Sequence, residues 1–441
     1  MRIAFLMVVA GVFAFAPATA CGTSGPSRAI SSHRPAIERV SQDAFIGHVE
    51  PALAVDPTNP HHLLAASQVV PPDDPAGDRR QLATYVSFDG GRSWRSNGAL
   101  PGSSAQQLGL DVSVAFDRHG IGYVLGEEQR SVNDAVAPLY LWRALSDGRA
   151  FSSPVLVASG EDCCDHAWVA VDQTDGARTG ALYVVYTTRT GILVRVSSEG
   201  GHEWSSATAL PEPDGLRSSG RAHPIGPTAV VDPEGTLHVA YIATNGRIVV
   251  ASSSDGARSF SASVVSDVTG GLPALASGTR GSLYVTFLVQ SGAGDAGVVA
   301  TRPASSTSVG GARPMVAVGV SRDSGASWGR LVHITAPSPD ATLSQPAIAT
   351  GPHGGLYVSF FSTETMTNVY IATSYHGLSF GAPQRVTPTG FNPMNGLPTG
   401  KNGPFIGDYQ ALATSGTTAY PFWNDTRTGR LELFTARWPA S

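Results

Sequence analysis

A short turn recurs along this chain, and its recurrence limits the fold more than any other feature. The first copy reads Ser87-Phe88-Asp89-Gly90-Gly91-Arg92-Ser93-Trp94. Ser87 and Asp89 can turn side-chain oxygens onto backbone N–H groups of the turn. Gly90 and Gly91 accept the positive φ of a tight hairpin, and Trp94 restarts a strand with a large apolar side chain. Full copies follow at residues 197–204, 253–260 and 321–328; the copy at 146–151 is one residue short, and that at 373–380 has lost its acid.

Each copy closes a longer unit. A short apolar strand (A), often ending in aspartate, leads through a tight turn to strand B, and strand C runs into the repeated turn. The A strands are read at residues 51–56, 112–117, 168–172, 228–232, 273–277, 346–350 and 410–414, which gives seven units. The seventh stops after strand C. Residues 37–41 are similar to the fourth strands at 331–334 and 384–387, so an N-terminal strand is expected to complete the seventh unit and remove its open edge.

The pattern S-x-D-x-G-x-x-W/F resembles the Asp-box, or BNR repeat, of the sialidase-like β-propellers. The resemblance implies an all-β propeller with the boxes at the blade periphery, away from the active site, and so gives these residues a structural role. The unit count predicts seven blades, with six, the number in the sialidases themselves, as the alternative. Length alone would suggest about three domains, but a propeller is one domain of many blades. Abundant glycine (50 residues) and few charged residues (14%) suit such a fold. The net charge of -5 and the lack of a basic stripe exclude nucleic acid as the main partner.

The N-terminus reads as an export signal: Arg2, an apolar run over residues 3–16, then Ala18-Thr19-Ala20 as a cleavage site. Cys21 follows directly and resembles the lipidated cysteine of a bacterial lipobox, with Ala18 where that motif usually has leucine. The expected organisation is a signal peptide over 1–20, a tether over 21–34 and the propeller over 35–441. The expected location is extracytoplasmic, either secreted or as a cell-surface lipoprotein held by a membrane anchor at Cys21. Cys163 and Cys164 are adjacent and read either as reduced thiols or as a vicinal disulfide.

Function is sought on the face that carries the D–A and B–C loops, which vary in length. Just before the A strands stand Glu50, Asp111, Asp165, His166, His223, Gln345, Asp408 and Tyr409; just after the B strands stand Gln68, Glu127, Glu128, Arg189, Asn245, Glu364, Asn424, Asp425 and Arg427. Polar groups converging from several blades would form a ligand pocket at the central channel. The leading reading is a surface binding module, for carbohydrate or a cell-surface protein, acting as a monomer with Arg189, Arg427, Asp408, Glu50, His166, Asn245 and Glu364 as ligand-binding candidates. The alternative is a glycoside hydrolase, which needs two carboxyls, with Asp111, Glu127, Asp425 and Tyr409 as catalytic candidates. The resemblance implies for a sialidase an activated tyrosine, for which Tyr409 is best placed, and three arginines, drawn from Arg189, Arg427, Arg130 and Arg221. The Arg-Ile-Pro signature of sialidases does not occur in this chain. No cofactor is expected, and no metal: Asp165-His166 beside Cys163-Cys164, with His223, offers ligand types but neither CxxC nor HxxxH spacing.

Overall fold

The inner strands of each unit are apolar on both faces, and this is the pattern of a strand covered on both sides. Leu63–Val70 is buried along its whole length, whereas the outer strand Ser261–Thr269 is mostly exposed or half-buried. A sheet with two buried faces must be packed between two others, and stacked blades arranged around an axis meet that demand.

The computed structural model describes residues 35–439 apart from 75, 104–107, 130–136, 161–162, 217–220, 291–313, 376–377 and 398–404. The chain forms seven antiparallel sheets, each running A-B-C-D outward. Blade one is Gly47–Val55, Leu63–Val70, Gln81–Ser87 and Arg95–Ala99; blade two begins at Leu108–Phe116, blade three at Cys163–Val171 and blade four at Ile225–Val231. Blades five, six and seven begin at Ala274–Ser277, Thr342–Thr350 and Ala411–Ser415. Each inner strand touches the next, and the last touches Gly47–Val55, so the ring is closed. Among the described residues seven apolar clusters form between adjacent blades, that of blades six and seven reaching Val49 of blade one; Leu64, Leu82, Phe116 and Trp142 lie between blades one and two.

Closure is made as the sequence predicts. Ile37–Arg39 is the outer strand of blade seven and pairs antiparallel with Glu432–Ala436. The Val40 N–H donates to the Leu433 carbonyl at 2.8 Å, and the Leu433 N–H donates to Ser41 Oγ at 2.9 Å. One addition was not foreseen: Trp438–Pro439 turns back to pair with the start of Thr418–Asp425.

The turns follow from local chemistry. Aspartate at the end of strand A accepts from the N–H two residues on, as at Asp56–Thr58 (2.7 Å) and Asp232–Glu234 (3.0 Å). In the repeated hairpin, Gly91 N–H donates to Ser87 Oγ at 2.9 Å while Asp89 accepts from the Arg92 and Ser93 N–H groups, each at 2.9 Å, and from the Ser93 hydroxyl at 2.6 Å. The same set recurs around Asp255, and around Asp323 with the Ala326 N–H donating to the Asp323 carbonyl instead of its carboxylate. These bonds lock the B–C–D side of a blade and leave the opposite end of the channel free for longer loops.

Candidate functional site: an acidic channel mouth

The inner strand of five blades breaks its alternation at one equivalent place. Glu50, Asp111, His166, Gly226 and Gln345 have φ of 53, 29, 47, 66 and 49°. Each sits in a register shift against strand B, as between Val49 and Ala52 or between Leu110 and Val112. Aligned on the A strands, Leu272 and Tyr409 fill this place in blades five and seven. A bulge of this kind re-aims one side chain out of the pleat. For a residue other than glycine the conformation costs about 1 kcal/mol or more, so four polar residues held there mark a site that the fold maintains against strain.

Hydrogen bonds join these positions across blades. The His166 N–H donates to Asp111 Oδ2 at 2.9 Å. The Tyr409 hydroxyl donates to Asp111 Oδ1 at 3.5 Å and accepts from the Val112 N–H at 3.2 Å, and the Tyr409 ring meets the His166 ring edge to face at 5.5 Å. The Asp408 N–H donates to Glu50 Oε1 at 3.3 Å, and the Gln68 amide donates to Glu50 Oε2. Arg80 donates to Gln68 Oε1 at 2.8 Å. Gln345 donates to the Gly407 carbonyl, and Gln410 to the Gln345 carbonyl at 2.8 Å. Gly407 is required by closeness: a Cβ there would lie 2.9 Å from Glu50 Cγ.

A second layer of carboxyls comes from strand B of blade two and the start of blade three. Oxygens of Asp111, Glu127 and Asp165 lie within 4.8 Å of one another. Glu127 is 0% exposed, and neither carboxyl oxygen has a hydrogen bond of good geometry; the Ala167 N–H is near enough to favour its charged form without satisfying that geometry. Glu128 points to the opposite face of the strand, as alternation requires, and stands outside the cluster.

The electrostatics follow from this crowding. Burial, then the charge of Asp111, pushes the Glu50 and Glu127 carboxyls well above the usual range. The same two causes raise Asp165, although its side chain is exposed. Burial raises Asp408 to about 6 in spite of His166, with Asp111 and Asp165 adding to the rise. Burial, then the charges of Glu50 and Asp111, holds the Tyr409 phenol well above its usual value. It is therefore a hydrogen-bond donor and a poor phenolate nucleophile. Burial lowers Arg80, although Glu50 and Asp111 favour its charge.

Of the residues selected from sequence, Glu50, Asp111, Glu127, Asp165, His166, Gln345, Asp408, Tyr409 and Gln68 come together here. Others do not. Asp425 is 0% exposed and its carboxylate is held by Arg427 and by Trp423 Nε1 at 2.8 Å, while Arg427 stacks 4.7 Å over the Phe434 ring. This pair ties Asp425 to Arg427 and Trp423 within blade seven. Asn245 caps a turn by accepting from the Arg247 N–H at 3.1 Å; Arg189 and Glu364 are exposed at hairpin tips, and His223 bonds its neighbour Pro224. Cys163 and Cys164 are disulfide-bonded directly before Asp165. Cys21 and Arg130 lie outside the described residues. Arg80 was missed because it lies inside a B–C loop, where nothing in the sequence ties it to Gln68 or Glu50.

Fold and site together define a seven-bladed β-propeller with a cluster of acidic side chains near the starts of its inner strands. No family model matches the chain, and no curated protein matches it. Solved structures with a similar fold include a Hadza microbial sialidase, at 14% identity and TM-score 0.47 over 85% of this chain and 76% of that one. The α-L-arabinanase of Penicillium chrysogenum, complexed with arabinobiose, matches at 13% identity and TM-score 0.47 over 91% and 99%. A protein of unknown function from Dyadobacter fermentans matches at 13% and 0.49 over 76% and 96%. At these identities the likeness carries no substrate and no residue role to this chain.

Proposed function

We propose that the chain is an exported, surface-held binding module that takes a neutral carbohydrate into the acidic channel mouth. In this reading the repeated hairpins are Asp-boxes, Cys21 carries the lipid tether, and the propeller acts as a monomer. The observation that carries it is the set of strained polar residues, Glu50, Asp111, His166 and Gln345, held at one equivalent place on the inner strands of four blades. Carboxylates and amides recognise sugar hydroxyls as acceptors and donors, and the Tyr409 and His166 rings offer a surface on which a sugar face can pack. A sialoside fits poorly. Its carboxylate would meet like charge, and among the described residues three guanidiniums do not converge here; Arg427 is already paired.

Hydrolysis of a neutral glycoside is the second reading, and the carboxyl spacing favours it. Oxygens within 4.8 Å of one another come near the roughly 5 Å separation of retaining glycosidases. Asp408, raised to about 6, has the proton affinity that suits a general acid near neutrality.

A glycan array probed with the full chain tests the first reading. Neutral glycans are expected to bind at least tenfold more tightly than sialylated ones, with binding lost in Tyr409→Ala and kept in Arg189→Ala. Preference for sialylated glycans, or no binding to any, overturns it. Turnover of the bound glycan, lowered by about 10²–10⁴-fold in Asp408→Asn, would establish hydrolysis in its place.

A further inference from the structure

We infer that Asp111, Glu127 and Asp165 form a site for a hard divalent cation, best matched by calcium, at the wall of the channel between blades two and three. Two independent observations lead there. The first is geometric: one oxygen from each residue lies within 4.8 Å of the others. Small side-chain rotations would place all three on one sphere at the 2.3–2.6 Å radius typical of calcium–oxygen contacts. The second is Glu127 itself. It is fully buried, its two oxygens lack a hydrogen bond of good geometry, and it is aimed at the other two carboxyls. A buried carboxyl without partners is rare because desolvation is costly, and a cation would answer both oxygens at once.

The surroundings fit an ion and not a simple ion pair. Arg80 offsets charge at Glu50 and Asp111, while the charges that bear on Glu127 are those of Asp111, Asp165 and Glu50. The His166 N–H fixes Asp111 by its Oδ2, and so limits the rotation of one ligand. Asp165 is exposed, which gives an ion a way in and leaves room for waters to complete its coordination. The donors are all carboxylate oxygens, with no thiolate or imidazole among them. That set selects calcium, magnesium or manganese over zinc or copper. The sequence hid the site because its ligands come from strand A and strand B of one blade and strand A of the next. The set considered there shares Asp165 but joins it to His166, Cys163, Cys164 and His223: the cysteines are bonded to each other and His223 bonds Pro224.

This inference shares Asp111 with the carbohydrate reading but rests on the carboxyl geometry alone, and its test uses no sugar. The full chain is stripped with chelator, and calcium, magnesium and manganese chlorides are each titrated by calorimetry and by thermal melting. Calcium is expected to bind at one site and to raise the melting temperature by roughly 2–4 °C at a hundredfold excess over Kd. Glu127→Gln should weaken binding at least tenfold and lose that rise, and should melt no lower than the wild type once both are metal-free, since the amide avoids the burial cost and the repulsion from Asp111 and Asp165 that disfavour the carboxylate. Asp165→Asn, at an exposed position, repeats the test without disturbing the core. Absence of heat and of any shift with all three metals overturns the site, as does an undiminished response in both variants.

Discussion

At the scale of single residues the channel mouth is a set of acids that the fold holds against their own repulsion, and Asp408 shows what this does to stability. Its folded-state pKa of about 6 lies above the 3.8 of an unperturbed aspartate. Between those values the folded state binds more protons than the unfolded one, so stability falls as pH rises from about 4 to 6. Asp408→Asn removes that loss. In chelator, where no cation can compensate, the variant is expected to exceed the wild type by about 1–2 kcal/mol at pH 7 after allowance for solvent screening, and to match it near pH 4. Denaturant melts at the two pH values read this directly, and equal stability at pH 7 would remove the electrostatic account. The acids of this mouth were legible in the sequence as far as their position went, because each stands where an A strand begins or a B strand ends, whereas Arg80, inside a B–C loop, was not. Which way a side chain points was not legible. Glu127 and Glu128 are neighbours on opposite faces, and Asp425 meets the same positional rule yet turns into its own blade to hold Arg427 and Trp423. Only the bulge register decides that, and a register shift of one residue leaves no mark in composition.

At the scale of the element the repeated hairpin is the most legible part of the chain, because its chemistry is local. The side chains that make the turn are four residues apart and bond one another, so the sequence states the structure. Asp323 accepts from the Ser327 hydroxyl, from the Ser321 hydroxyl at 2.7 Å and from the Ser327 N–H at 2.9 Å, and these bonds lower its pKa to about 2. A lowered carboxyl contributes stability that is present above its unfolded pKa of 3.8 and is lost as pH falls toward 2. Asp323→Asn is therefore expected to destabilise the protein at pH 7 and to make no difference near pH 2. Ser327→Ala should raise the Asp323 pKa toward its ordinary value, read by carboxyl chemical shift. An unmoved titration in Ser327→Ala would assign the lowering to the backbone donors alone. The A–B turns obey the same local logic through Asp56, Asp117, Asp172 and Asp232. Where an element depends on distant partners, legibility ends: Trp438–Pro439 pairs back onto blade seven with no turn signal to announce it.

At the scale of the whole molecule the ring depends on one short strand. Ile37–Arg39 is three residues long, yet it covers the edge of Glu432–Ala436 and brings Val40 into the cluster between blades seven and one, beside Leu63, Tyr85 and Phe422. Without it the ring would still touch through Gly47–Val55 and Ala411–Ser415, but the outer edge of blade seven would present unpaired N–H and C=O groups to solvent, a template for pairing with another chain. The two effects can be separated by experiment. Val40→Ala keeps the edge covered and opens a gap in a buried cluster, so it should lower stability by about 1–3 kcal/mol and leave the protein in its original association state. Removing residues 35–41 loses the same packing and also exposes the edge. That variant should melt lower than Val40→Ala and form larger species on a sizing column, increasingly with concentration. If it stays the size of the full chain, the strand contributes packing alone and the edge is protected by something else. If Val40→Ala itself associates, then packing between blades, and not the covered edge, is what keeps the ring shut.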